Sequence, residues 1–158
     1  MSDIEDRLNQ LRVSDLMARR VTSVAIESTA AQAAQAMHAA HVTAAPVVDG
    51  NGVCVGIVTA TDFLRWAAEQ PQADLGKVPL RDVMRWAVQT IDADASVLLA
   101  ARMMCAAHVH RLLVVDRDGR PAGILSSLDL VAMMTKIVDE LAPRRSVGQA
   151  GPHHGKFD

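Results

Sequence analysis

Apolar and polar positions change their period along this chain, and the changes mark its elements. Across residues 2–12, Ile4, Leu8 and Leu11 share one side of a helix. Asp3, Glu5, Asp6 and Arg7 cover the other side, and the early acids suit the helix dipole. A short apolar stretch at 23–26 predicts a strand, mirrored by Thr90-Ile91. Residues 29–41 return to helical spacing, with Met37 in line with Ala30, Ala33 and Ala34. Residues 96–108 do the same, with Met104 in line with Val97, Ala100 and Ala101. Thr29 and Ser96 stand where N-caps belong. Short apolar strands follow at 45–48 and 112–115. Asp49-Gly50-Asn51-Gly52 and Asp116-Arg117-Asp118-Gly119 carry hairpin chemistry. Return strands at 56–59 and 123–126 lead into closing helices at 60–69 and 127–141.

These elements come in two sets at a constant offset of 67 positions, as from Gly56 to Gly123. Residues 13–65 align on 80–132 without a gap, and roughly a third of the pairs are identical. Asp15-Leu16-Met17 answers Asp82-Val83-Met84. His41-Val42 answers His108-Val109, and Val47-Val48-Asp49 answers Val114-Val115-Asp116. An ungapped match over a whole supersecondary unit means duplication, and such units cover each other's apolar faces. The expected organisation is an N-terminal helical arm at 1–12, a first repeat at 13–69 and a second at 80–141. A linker at 70–79 joins them, and a flexible tail rich in Gly, Pro and His occupies 142–158. The last helix carries Leu128, Leu130, Val131, Met133, Met134, Ile137, Val138 and Leu141. A helix apolar nearly all round is buried on more than one side. A homodimer through the closing helices is therefore expected.

Composition narrows the field. Half of the 158 residues are hydrophobic, which fits a globular chain. Two Trp, two Phe and no Tyr leave no stacking platform for single-stranded nucleic acid. Formal net charge is −2 without a basic stripe, so duplex binding is not expected either. The pair Arg144-Arg145 alone would have to carry it. Cys54 and Cys105 form no CxxC and suit a reduced, cytoplasmic protein. Residues 1–20 lack the basic start and apolar run of a secretory signal. No stretch reaches the length of a membrane span.

The candidate chemistry lies at the two strand-to-helix corners, Gly56 to Asp62 and Gly123 to Asp129. Each sets a hydroxyl, Thr59 or Ser126, at the turn and a carboxylate, Asp62 or Asp129, three residues on. Free N–H groups and a positive dipole end at such a corner suit an anion. The same boxes are good helix caps, and the two roles are compatible because capping leaves one carboxylate oxygen free. His38, His41, His108 and His110 lack the further ligands a metal site needs, so no metal is expected. Ser126 lacks a nucleophile elbow, and no catalytic residue is expected.

The two copies in register resemble the cystathionine-β-synthase (CBS) domain family, arranged as the tandem pair called a Bateman module. The likeness covers 13–135. It rests on the Asp-x-Met openings, on His41-Val42 through Pro46-Val47-Val48-Asp49 with its partner segment, and on the two corners. The resemblance implies a mixed α+β fold of two β-α-β-β-α repeats related by pseudo-two-fold symmetry. It implies a regulatory module, not an enzyme, that binds AMP, ADP, ATP or S-adenosylmethionine in clefts between the repeats. Thr59 and Ser126 would help hold phosphate, and Asp62 and Asp129 the ribose. Thr22, Gln89, Thr43, Ala44, Ala45, Pro46, His110, Arg111, Leu112 and Leu113 would lie beside the ligand. His110 and Arg111 could meet phosphate, whereas Thr43 and Ala44 supply no charge, so the two sites are expected to differ. The signal would pass through dimer geometry or a regulated partner protein. A ligand-free dimerisation or scaffold module is the alternative.

Overall fold

The structure is a computed structural model of the chain and describes residues 3–142. The expectations for the tail, Arg144-Arg145 included, lie outside those residues. The chain runs α1 (Asp3–Gln10), α2 (Val13–Leu16), β1 (Val24–Ala25), α3 (Ala30–Ala39), β2 (Ala44–Val48), β3 (Cys54–Thr59) and α4 (Ala60–Glu69). The second set is α5 (Leu80–Val83), β4 (Thr90–Asp92), α6 (Val97–Ala107), β5 (Arg111–Val115), β6 (Pro121–Ser126) and α7 (Ser127–Leu141). This is the mixed α+β arrangement of two like repeats. Each half holds a three-stranded sheet, β1-β2-β3 or β4-β5-β6. The first pair of each is parallel and the second antiparallel.

Local chemistry sets the boundaries. Thr29 caps α3 in a reciprocal box with Gln32, and Ser96 accepts from the Leu99 N–H. His41 and His108 end those helices in the left-handed conformation, with φ of 55° and 53°. The return strands start earlier than their apolar runs. Cys54 and Pro121 already pair across irregular registers at Val47/Val48 and Val114/Val115. The first strand is shorter than 23–26, although the Ile26 N–H still reaches the Val48 carbonyl at 2.9 Å.

Packing exchanges the opening segments of the repeats. Val13 and Met17 lie in a core with Ile91, Ala100, Met104, Leu112, Val114 and Leu125 of the second half. Leu80, Val83 and Met84 lie in a core with Val24, Ala33, Met37, Val47 and Val58 of the first. Matching backbone bridges, Ala18 to Ile124 and Ile57 to Arg85, stitch each opening segment to the opposite return strand. At both crossings the strand residue beside the bridge is glycine. A Cβ on Gly56 would stand 2.5 Å from the Arg85 carbonyl oxygen, and one on Gly123 would stand 2.9 Å from that of Ala18. Only hydrogen fits there.

Residues 3–11 and 70–79 are more than an arm and a linker. Leu8 and Leu11 pack with Val97, Met133 and Ile137, and the Val97 N–H donates to Leu11. Leu75 and Val78, 67 positions on, pack on the first core, and the Ala30 N–H donates to Val78. Polar composition hid this second pair in the sequence.

Candidate functional site

The Thr59 corner is built by β3 running straight into α4. The Thr59 N–H and hydroxyl both donate to Asp62 Oδ2, each at 2.9 Å, and the Asp62 N–H returns to Thr59 Oγ1 at 3.2 Å. Ser126 and Asp129 repeat the motif with 2.8, 2.9 and 3.2 Å. The capping role of both boxes is therefore present.

The two acids differ in what else they meet. Asp62 is the one buried charged residue among those described. Its Oδ1 accepts from Arg85 Nε at 2.9 Å and pairs with Arg65. The oxygen expected to stay free is occupied. Asp129 has no such pairing, because the positions equivalent to Arg65 and Arg85 are Ala132 and Ala18. It lines a separate groove of about 350 Å³ beside Arg7, Asp15 and Lys136.

A larger cleft of about 580 Å³ opens where the halves meet at the Thr59 corner. Of the residues singled out in the sequence, Thr43, Ala44, Thr59, Gln89, His110, Arg111 and Leu113 line it. Arg111 Nη2 donates to Thr43 Oγ1 at 3.0 Å. His110 and Arg111 of the second repeat thus share one cleft with Thr43 and Ala44, the first-repeat residues they were contrasted with. The side chains of Ala45, Pro46 and Leu112 are buried away from it. Asp62 stands behind the wall, and Thr22, Ser126 and Asp129 are not on it. Arg85, Ile57, Ala60, Thr61, Ala87, Val88 and Val109 complete the lining. The repeat gave Arg85 no signal, because its counterpart in the first copy is Ala18. The Ile57 bridge across the halves is what brings it in.

The CBS domain model matches residues 13–69 and 80–136. The chain belongs to the CBS domain family. A CBS domain-containing protein of Dictyostelium discoideum is 29% identical over an alignment of 141 residues that covers 84% of this chain and 97% of that one. A homoserine O-acetyltransferase of Methanocorpusculum labreanum is 34% identical over 76% of this chain. The match spans only 23% of that enzyme, so the shared part is the CBS pair. Among solved structures, CBSX2 in complex with AMP is 28% identical with a TM-score of 0.68, over 80% of this chain and 97% of that one.

Among the described residues, no group of three or more His, Cys, Asp or Glu gathers as a metal site. No helix among them is long and apolar enough to cross a membrane. This CBS pair instead gathers hydroxyls, guanidinium groups and a helix start around one cleft.

Proposed function

We propose that this CBS pair is a regulatory module whose Thr59 cleft binds an adenosine-containing ligand: AMP, ADP, ATP or S-adenosylmethionine. One observation carries the reading. The cleft collects Thr43, Thr59 and Thr61 with Arg85, His110 and Arg111 at the capped start of α4. The helix dipole and the guanidinium groups there favour phosphate. The likeness to CBSX2, solved with AMP, supports an adenine nucleotide. No catalytic step is assigned to the cleft. The second corner, with Thr22, Ser126 and Asp129, would be a weaker site.

A thermal-shift panel of AMP, ADP, ATP, S-adenosylmethionine and NAD tests this. A ligand at a hundredfold excess over Kd adds about 2.7 kcal/mol, and each kcal/mol raises Tm by about 2–4 °C at this size. A rise of several degrees is expected with at least one adenosyl compound. No rise with any of them overturns the reading.

A second copy of the chain is the proposed occupant of α7. Leu128, Val131, Met134, Val138 and Leu141 stand exposed in a row on it. Such a stripe marks an interaction face. Dimerisation without a ligand would then be the whole role if the panel fails.

A further inference from the structure

We propose that the Thr59 cleft selects its nucleotide by phosphate charge. It takes di- and triphosphates ahead of AMP and of the cationic S-adenosylmethionine, with Arg85 reading the phosphates and Asp62 positioning Arg85. This rests on the cleft being a nucleotide site.

No carboxylate lines the cleft, although the whole chain carries a net charge of −2. Arg85 and Arg111 flank the Thr59 to Thr61 turn. Arg85 is held by both ends. Its backbone N–H and carbonyl pair with Ile57 at 2.8 and 2.9 Å, and its Nε donates to Asp62. That leaves its two terminal nitrogens, without partners among the described residues, on a fork already oriented. A preorganised fork loses less entropy on gripping phosphate than a free one does.

Asp62 is spoken for in turn. Thr59 occupies one oxygen and two guanidinium groups the other, so one buried carboxylate supports two cations. Releasing an oxygen to a ribose hydroxyl would break one of those bonds inside the protein. The acid therefore acts through Arg85, and the corner presents a net positive charge to the ligand. A sulfonium cation is repelled by this field, and each added phosphate is attracted. The Asp129 corner, with alanine at both arginine positions, lacks the device, so one phosphate-reading site per chain is expected.

The test is calorimetric titration of the full chain and of Arg85→Ala, Arg85→Lys and Asp62→Asn. Pyrophosphate, AMP, ADP, ATP and S-adenosylmethionine are compared at one ionic strength in EDTA. ATP is expected to bind about tenfold tighter than AMP, with S-adenosylmethionine weakest. Arg85→Ala weakens ATP more than AMP and so removes most of that ratio. Lysine restores only part of it, lacking the fork. Asp62→Asn lowers the ratio toward that of Arg85→Ala. The ratio is read on folded protein, so a loss of stability alone does not move it. AMP or S-adenosylmethionine binding as tightly as ATP overturns phosphate selection and leaves the adenosyl reading standing. Pyrophosphate binding that Arg85→Ala abolishes, with no gain from adenosine, upholds the anion site and overturns the adenosyl reading. No binding by any compound overturns both.

Discussion

Leu80 donates its backbone N–H to the Ser28 carbonyl at 3.0 Å and has no exposed surface, so the first residue of the second repeat is core to the first. Val13 reciprocates at Ala95, at 2.9 Å. Leu80→Ala is expected to cost about 2–5 kcal/mol. Urea melts followed by circular dichroism should lose stability in one transition, because neither half has a complete core alone. A fragment of residues 13–69 should show no cooperative transition. A cooperative melt of that fragment would refute the exchanged core.

Gly56 lets the Arg85 segment lie against β3. Alanine there would press on Met84 Cε and the Arg85 carbonyl, and the backbone neighbour cannot swing aside. Gly56→Ala should cost about 1–3 kcal/mol and weaken nucleotide binding with it. Chemical denaturation and titration on one sample check both.

Asp62 and Asp129 make the same cap, but only Asp62 carries arginines. Asp129→Ala should lose about 1 kcal/mol, the worth of a helix box. Asp62→Ala should lose more, by about 1 kcal/mol or less, since both arginines are half-exposed and screened. Equal losses from the two substitutions would argue against the buried ion pairs.

Cys54 is partly buried, and burial pushes its thiol above the ordinary value. Iodoacetamide at neutral pH should therefore label exposed Cys105 well before Cys54, as peptide mass spectrometry can follow. The thiol's contribution to stability is whole below the unfolded pKa of about 8.5. It is lost as pH rises from there through the folded value, because the unfolded chain ionises first. The Cys54→Ala variant should lack that component of the alkaline decline.

Met134 sits mid-stripe on α7 and is 53% exposed. Met134→Asp places a charge in the proposed dimer face and should give monomers by sedimentation velocity, with Tm at low protein concentration nearly unchanged. A wild-type chain that is already monomeric would remove the dimer.

The duplicated elements were legible because their signals are local. Caps at Thr29, Thr59, Ser96 and Ser126, and turns at Asp49 and Asp116, are set by neighbours in the chain. The closing helices fall at 60–69 and 127–141 for the same reason. Partnership between halves was not legible. Nothing beside Arg85 in sequence announces Ile57 or Asp62, and the offset that revealed the repeats compared Arg85 only with Ala18. Likewise Leu75 and Val78 lie in a stretch whose Gln, Pro and Gly content outweighed two apolar residues. Charge that looked divided between two sites converges because the Arg111 side chain reaches Thr43 of the other half.

The traded opening segments also bear on ancestry. One unduplicated unit would leave its sheet uncovered where Leu80 or Val13 now sits, and only another molecule of the same kind has the missing piece. A precursor gene encoding a single unit would thus have yielded obligate intertwined couples. With both copies in one chain, each corner is free to differ from its twin, as Arg85 and Ala18 do.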